Sequence, residues 1–158
     1  MAELSVLDYL TRQLNGSLAP DDTTHMRYPT AISQLLEMRI TDVGEAMAVV
    51  EINADAAKHG NQQGTVHGGM ICELADAAIG TAHSTLMQNG ETFTSINMNT
   101  TFLRPVWQSR LRAHARATHR GRTMTHYLCE ITREEDGKMV ASITSTVMTL
   151  RGDDAKGR

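Results

Sequence analysis

Just before and along one stretch that reads as a helix, residues 64–82 carry a histidine, a glycine pair and two carboxylates: His67, Gly68, Gly69, Glu73 and Asp76. That set can run acyl chemistry. A carboxylate can attack a carbonyl or activate a water, and free N–H groups at a helix start can hold the negative charge that builds on the carbonyl oxygen. Glycine at such a start lets the backbone come close to a ligand. At helical spacing Glu73, Asp76 and His83 align with Gly80 in one narrow stripe. An ionised carboxylate is costly to bury without partners, so Asp76 either faces a cleft, meets another chain or shifts its protonation. Pairing with a structural cation is the plainer alternative, and the residues alone leave it open.

The helix bearing these groups has apolar side chains, among them Met70, Ile71, Leu74, Ala75, Ala78 and Ile79, pointing in nearly every direction. A surface helix shows one apolar stripe, so this one is predicted to be buried. Ahead of it, residues 5–14 place Val6, Leu7, Leu10 and Leu14 on one helical face, with Asn15-Gly16 as a stop. A polar linker then leads to a helical turn over 31–38, opened by Pro29-Thr30, and two strands over 38–43 and 46–52 form a hairpin about Gly44-Glu45. Residues 53–66 read as a loop.

Beyond the helix the pattern is strand. Residues 93–102 alternate, with Thr94, Ile96, Met98, Thr100 and Phe102 as the expected inner face. Residues 111–118 alternate almost strictly, and 124–133 and 138–150 flank the charged turn Glu134-Glu-Asp-Gly137. The connections are too short for parallel crossovers. The expected fold is therefore α+β, an antiparallel sheet curved around one long central helix, which accounts for that helix being apolar on most sides.

With 158 residues, 41% of them hydrophobic, the chain fits one globular domain with an adequate core. A net charge of -3 supplies no general attraction for nucleic acid or an anionic membrane, so an anionic ligand needs a few placed arginines. The longest apolar run, residues 46–50, is far short of the ~20 residues of a membrane span. Glu3 and Asp8 interrupt the start, so no secretory signal is expected, and Cys72 and Cys129 sit in apolar patterns that suit reduced thiols in a cytoplasmic protein. The seven histidines have no close ligand spacing, so no metal site is expected.

Taken together, Asn61, Gly64-Thr-Val-His67-Gly68-Gly69, Leu74-Ala75-Asp76, residues 95–101, Phe102-Leu-Arg-Pro-Val106 and His119-Arg-Gly-Arg-Thr123 resemble the hotdog-fold acyl-CoA thioesterases, of the phenylacetate-pathway and 4-hydroxybenzoyl-CoA thioesterase type. The likeness covers about residues 30–151. It divides the chain into a leading helix and linker, 1–28, a hotdog domain, 29–151, and a tail, 152–158. What the resemblance implies is hydrolysis of an acyl-CoA thioester to free acid and coenzyme A. It implies Asp76 as nucleophile or general base, an oxyanion held by the amides at Gly68 and Gly69, and supporting roles for Asn61, His67 and Ser95. Coenzyme A would meet Arg120, Gly121, Arg122, Thr123 and Arg151, as arginine suits phosphate in geometry and charge. It further implies that Asp76 of one copy faces Asn61, His67 and Gly68 of another, in a dimer as minimal unit and a homotetramer as the assembly. No cofactor beyond the substrate's own coenzyme A is implied. At Gly80 the hydroxybenzoyl-CoA type carries an assisting side chain that this chain lacks, which counts against specificity for that aromatic acyl group. Two rivals remain: a hotdog dehydratase or hydratase, and a non-catalytic acyl-CoA-binding protein.

Overall fold

A computed structural model describes residues 3–157; Met1, Ala2 and Arg158, part of the expected leading segment and tail, lie outside the described residues. In chain order the elements are β1 (Glu3–Leu4), α1 (Val6–Asn15), β2 (Thr23–Thr24), α2 (Ala31–Leu36), β3 (Arg39–Gly44), β4 (Met47–Asp55), α3 (Ala56–His59), α4 (Gly68–Ser84), β5 (Thr92–Phe102), β6 (Gln108–Arg120), β7 (Met124–Arg133) and β8 (Met139–Leu150). A short helical turn, Gly152–Ala155, closes the described chain where a frayed tail was expected. The large sheet runs β3-β4-β6-β7-β8-β5, antiparallel throughout. The expected α+β architecture holds.

Small residues explain how the sheet closes on α4. On the facing strands Ala48 pairs with Ala115, Val50 with Ala113 and Ile52 with Leu111, and the helix answers with Ala75, Ala78 and Ala82, all fully buried. Alanine against alanine lets helix and sheet approach closely, with few voids to be filled by longer chains. α4 packs chiefly on β4 and β6, then on β7 and β8. It is not wrapped on every side, because Glu73, Asp76, Ala77 and Gly80 remain half-buried or exposed along one flank.

Four details differ from the sequence reading. The polar linker contributes β2, which pairs in parallel with β1. The expected loop over 53–66 begins late, since β4 runs on to Asp55, whose carboxylate then accepts from the Ala57 N–H at 2.8 Å and caps α3. In β5 the register slips between Ser95 and Asn97, a bulge at Ile96. One extra residue reverses the alternation. Phe93 and Ser95 therefore face inward before the bulge and Met98 and Thr100 after it; Ile96 of the expected inner face is 49% exposed, whereas Phe102 keeps that face with its ring against Gly68. Finally, α1 is no detached leader: Val6 and Leu10 are completely buried and the helix rests on β3.

Candidate active site

α4 starts where it does because His67 caps it. The Nδ1 of His67 accepts from the Gly69 N–H at 2.9 Å, satisfying one of the donors that a helix start leaves open. This takes Gly69 out of the expected oxyanion pair. Gly68 is left as the open amide, with no hydrogen-bond acceptor among the described residues. A methyl group on Gly68 would lie 3.0 Å from the Phe102 ring, so glycine also admits that ring against the helix start. Asn61 is mostly spent on its own loop: its Oδ1 accepts from the N–H groups of Gln63 and Thr65 at 2.9 and 3.1 Å, and its Nδ2 donates to Thr65 Oγ1 at 3.0 Å. One N–H of its amide remains to be offered.

Asp76 projects from the flank of α4 into a cavity of about 590 Å³ that Ser95 and Glu73 also line. Burial pushes its carboxyl above the usual 3.8. No cation and no hydrogen-bond donor pairs with it among the described residues. The Glu73 carboxyl is raised as well, first by burial and then by the neighbouring Asp76 charge. The signal for it was its place one turn from Asp76. Asn61, His67 and Gly68 do not line this cavity; along one helix Gly68 and Asp76 lie eight residues, about 12 Å, apart.

His83, on the same stripe two turns further on, has a different fate. Its Nδ1 meets the Tyr127 hydroxyl at 2.8 Å and its Nε2 the Thr149 hydroxyl at 3.0 Å, with Phe93 edge-on at 5.1 Å. Burial lowers its pKa from 6.5 to about 4, with Glu91 opposing and Arg120 and Arg151 assisting. It is a neutral core histidine.

The arginines gather at the β6–β7 turn. Arg120 is paired with Glu45 at 2.6 Å, and Arg151 bridges Glu91 at 2.7 Å and the Arg122 carbonyl at 3.0 Å, tying the turn to the end of β8. Gly121 donates to the Met124 carbonyl and Thr123 accepts from the Thr149 N–H, so the two hold the turn's shape. Arg122 alone of the three has a guanidinium without an ion pair among the described residues. Arg110 and Arg112 pair with Glu134 and Glu51 on solvated strand faces, as the alternation implied.

The model of the thioesterase superfamily matches residues 63–140, a span holding His67, Gly68, Asp76, Ser95 and the arginine turn. A Deinococcus radiodurans protein named "Putative esterase" is 32% identical over 123 residues, covering 76% of this chain and 81% of its own. This chain belongs to the thioesterase superfamily. The E. coli PaaI protein from the phenylacetic acid degradation operon superposes with a TM-score of 0.71 at 28% identity, over 78% of this chain and 87% of that one. A thioesterase family protein from Silicibacter pomeroyi gives 0.71 at 26%, over 78% and 91%. The protein is thus a hotdog-fold thioester hydrolase. The short β1–α1–β2 segment precedes the matched span, as do α2 and the β3–β4 hairpin.

Proposed function

We propose that the protein hydrolyses acyl-CoA thioesters, with Asp76 as the general base. The observation that carries this reading is the Asp76 carboxyl, unpaired among the described residues, opening on the cavity beside Ser95 with its pKa raised by partial burial. A raised pKa brings a carboxylate nearer to working pH and makes it a better proton acceptor. In the step itself Asp76 takes a proton from water, the hydroxide adds to the thioester carbonyl, and the tetrahedral oxyanion is held by the Gly68 N–H. Collapse breaks the C–S bond and releases coenzyme A as the thiolate. The Ser95 hydroxyl and the spare Asn61 N–H help to orient water and carbonyl.

The geometry supports a site shared with a second copy. A reacting carbon must lie about 3 Å from both the base and the oxyanion donors, whereas Asp76 and Gly68 of one helix are about 12 Å apart. Gly68 of another copy supplies the amide in this reading. β5 offers the contact: it ends the sheet with one edge unpaired among the described residues, and it carries Ser95 together with exposed Ile96 and Phe102. Arg122 takes a phosphate of coenzyme A, while Arg120 and Arg151 hold the turn that presents it. The chemistry of the residues themselves calls for no metal and no further cofactor.

Asp76→Asn tests the assignment, because the amide cannot accept the proton yet keeps the shape. The expected kcat falls by about a hundredfold or more in a thiol-release assay, with an unchanged unfolding midpoint; turnover within a few-fold of the unaltered protein would refute it. A single turnover in heavy-oxygen water separates the roles of Asp76. Label entering the product acid at once fits the base, whereas label entering Asp76 would mean an anhydride intermediate.

A further inference from the structure

Asp76 does not face its cavity alone. Glu73 stands three residues, about 4.5 Å, earlier along α4, and at that spacing two helical side chains are surface neighbours. Both line the cavity, and neither has an ion pair among the described residues. The charge of Asp76 is felt at Glu73. Two further titratable groups line the same space, Arg39 on β3 and Tyr28 ahead of α2. The Arg39 charge acts on neither carboxyl, so it offsets no charge formed beside them. Tyr28 is a neutral phenol, because burial raises it above its usual 10.

Such a pair bears on what the reaction makes more than on what it takes in. The thioester that enters carries no charge at its acyl carbon, and fixed negative charges have little hold on it. Hydrolysis breaks the C–S bond and leaves a carboxylic acid at that carbon, which gives its proton to solvent and ionises. Asp76 recovers its own charge by passing the proton it took from water to the sulfur or to solvent. The new carboxylate then stands beside one carboxylate that has just worked and a second that the bond-breaking step does not use. Like charges this close repel, and a neighbour within one Debye length is not screened away.

We infer that Glu73 expels the product: its carboxylate, one turn from Asp76, weakens the hold of the cavity on the freed acid while leaving the uncharged thioester group unopposed. This rests on the reading of the cavity as the acyl site. Glu73 acts here through its charge alone and takes no part in forming or breaking a bond.

The test measures inhibition of thiol release from octanoyl-CoA by octanoate and by octanamide, its uncharged counterpart of the same shape, at about pH 8 where carboxyls are ionised. The ratio of the two inhibition constants is taken on one preparation each of the unaltered protein, Glu73→Gln and Glu73→Asp, so a partly folded variant does not distort it. Glu73→Gln is expected to tighten octanoate relative to octanamide by about fivefold, and Glu73→Asp, which keeps the charge, to preserve most of the original ratio. A ratio unchanged in Glu73→Gln, or one that shifts equally in Glu73→Asp, overturns this inference and leaves the hydrolase assignment standing. Octanamide that fails to compete in a protein cleaving octanoyl-CoA overturns it as well, since the acyl group then lies elsewhere. Failure to cleave any acyl-CoA overturns both.

Discussion

Replacing His83 by glutamine should make the fold less sensitive to acid, and the size of the effect can be worked out. In the folded chain the ring is 1% exposed and titrates near 4, against 6.5 when free. Between those values the unfolded chain binds a proton that the fold refuses, so stability must fall as pH falls. The contribution of the neutral ring is complete above 6.5 and is lost on the way down to about 4. At about 1.4 kcal/mol for each pH unit, the whole loss is about 3 kcal/mol, most of it incurred by about pH 4.5. Glutamine can still donate to one of Tyr127 and Thr149 and accept from the other, but it does not titrate. Urea unfolding of both proteins at about pH 8 and about pH 4.5, at equal protein concentration, gives the comparison, and the carboxylates common to both cancel. Unaltered protein should lose about 2–3 kcal/mol more than the variant. Equal losses would refute the claim that a buried neutral imidazole holds the end of α4.

Gly80 presents an empty face to the cavity, and an added methyl would find the Phe93 ring at 3.9 Å, an ordinary contact. Gly80→Ala should therefore stabilise α4 by about 0.5–1 kcal/mol in a thermal melt, whereas Gly80→Leu should fill the cavity and lower kcat/KM for octanoyl-CoA by about tenfold or more, through the displaced acyl contacts. Arg122→Ala should raise KM for an acyl-CoA several-fold and leave the matching N-acetylcysteamine thioester, which has no nucleotide, unaffected. Parallel effects on both thioesters would remove Arg122 from the phosphate contact.

How far the sequence carried the reading depends on the range of the forces involved. α4, its carboxylates and the succession of the main strands along the chain follow from local periodicity, and local periodicity was enough. Ile96 was misplaced because a bulge is fixed by the pairing of β5 with β8, which the alternation of β5 by itself does not encode. His83 looked like a companion of Asp76 on the helix stripe, yet Tyr127 and Thr149, far away in sequence, turn it into a core residue. Glu73 joined the cavity for a similar reason, since the wall opposite it comes from other elements. Tyr28 lay in what read as a plain polar linker, and only the fold brings it to the wall of the Asp76 cavity. Arg120 and Arg122 share one turn motif, but their difference rests on Glu45, across the sheet.

One consequence of the His67 cap concerns how variants of that residue are to be read. The imidazole fixes where α4 begins and, by occupying the Gly69 amide, leaves the Gly68 amide as the open one. His67→Ala would release a second donor while loosening the first turn, by roughly 1 kcal/mol for a lost cap. Better charge stabilisation and poorer rigidity would then arrive together, and a modest change in rate would be the sum of two opposed effects. Asparagine at the same place, able to keep the cap without a ring, separates preorganisation from chemistry.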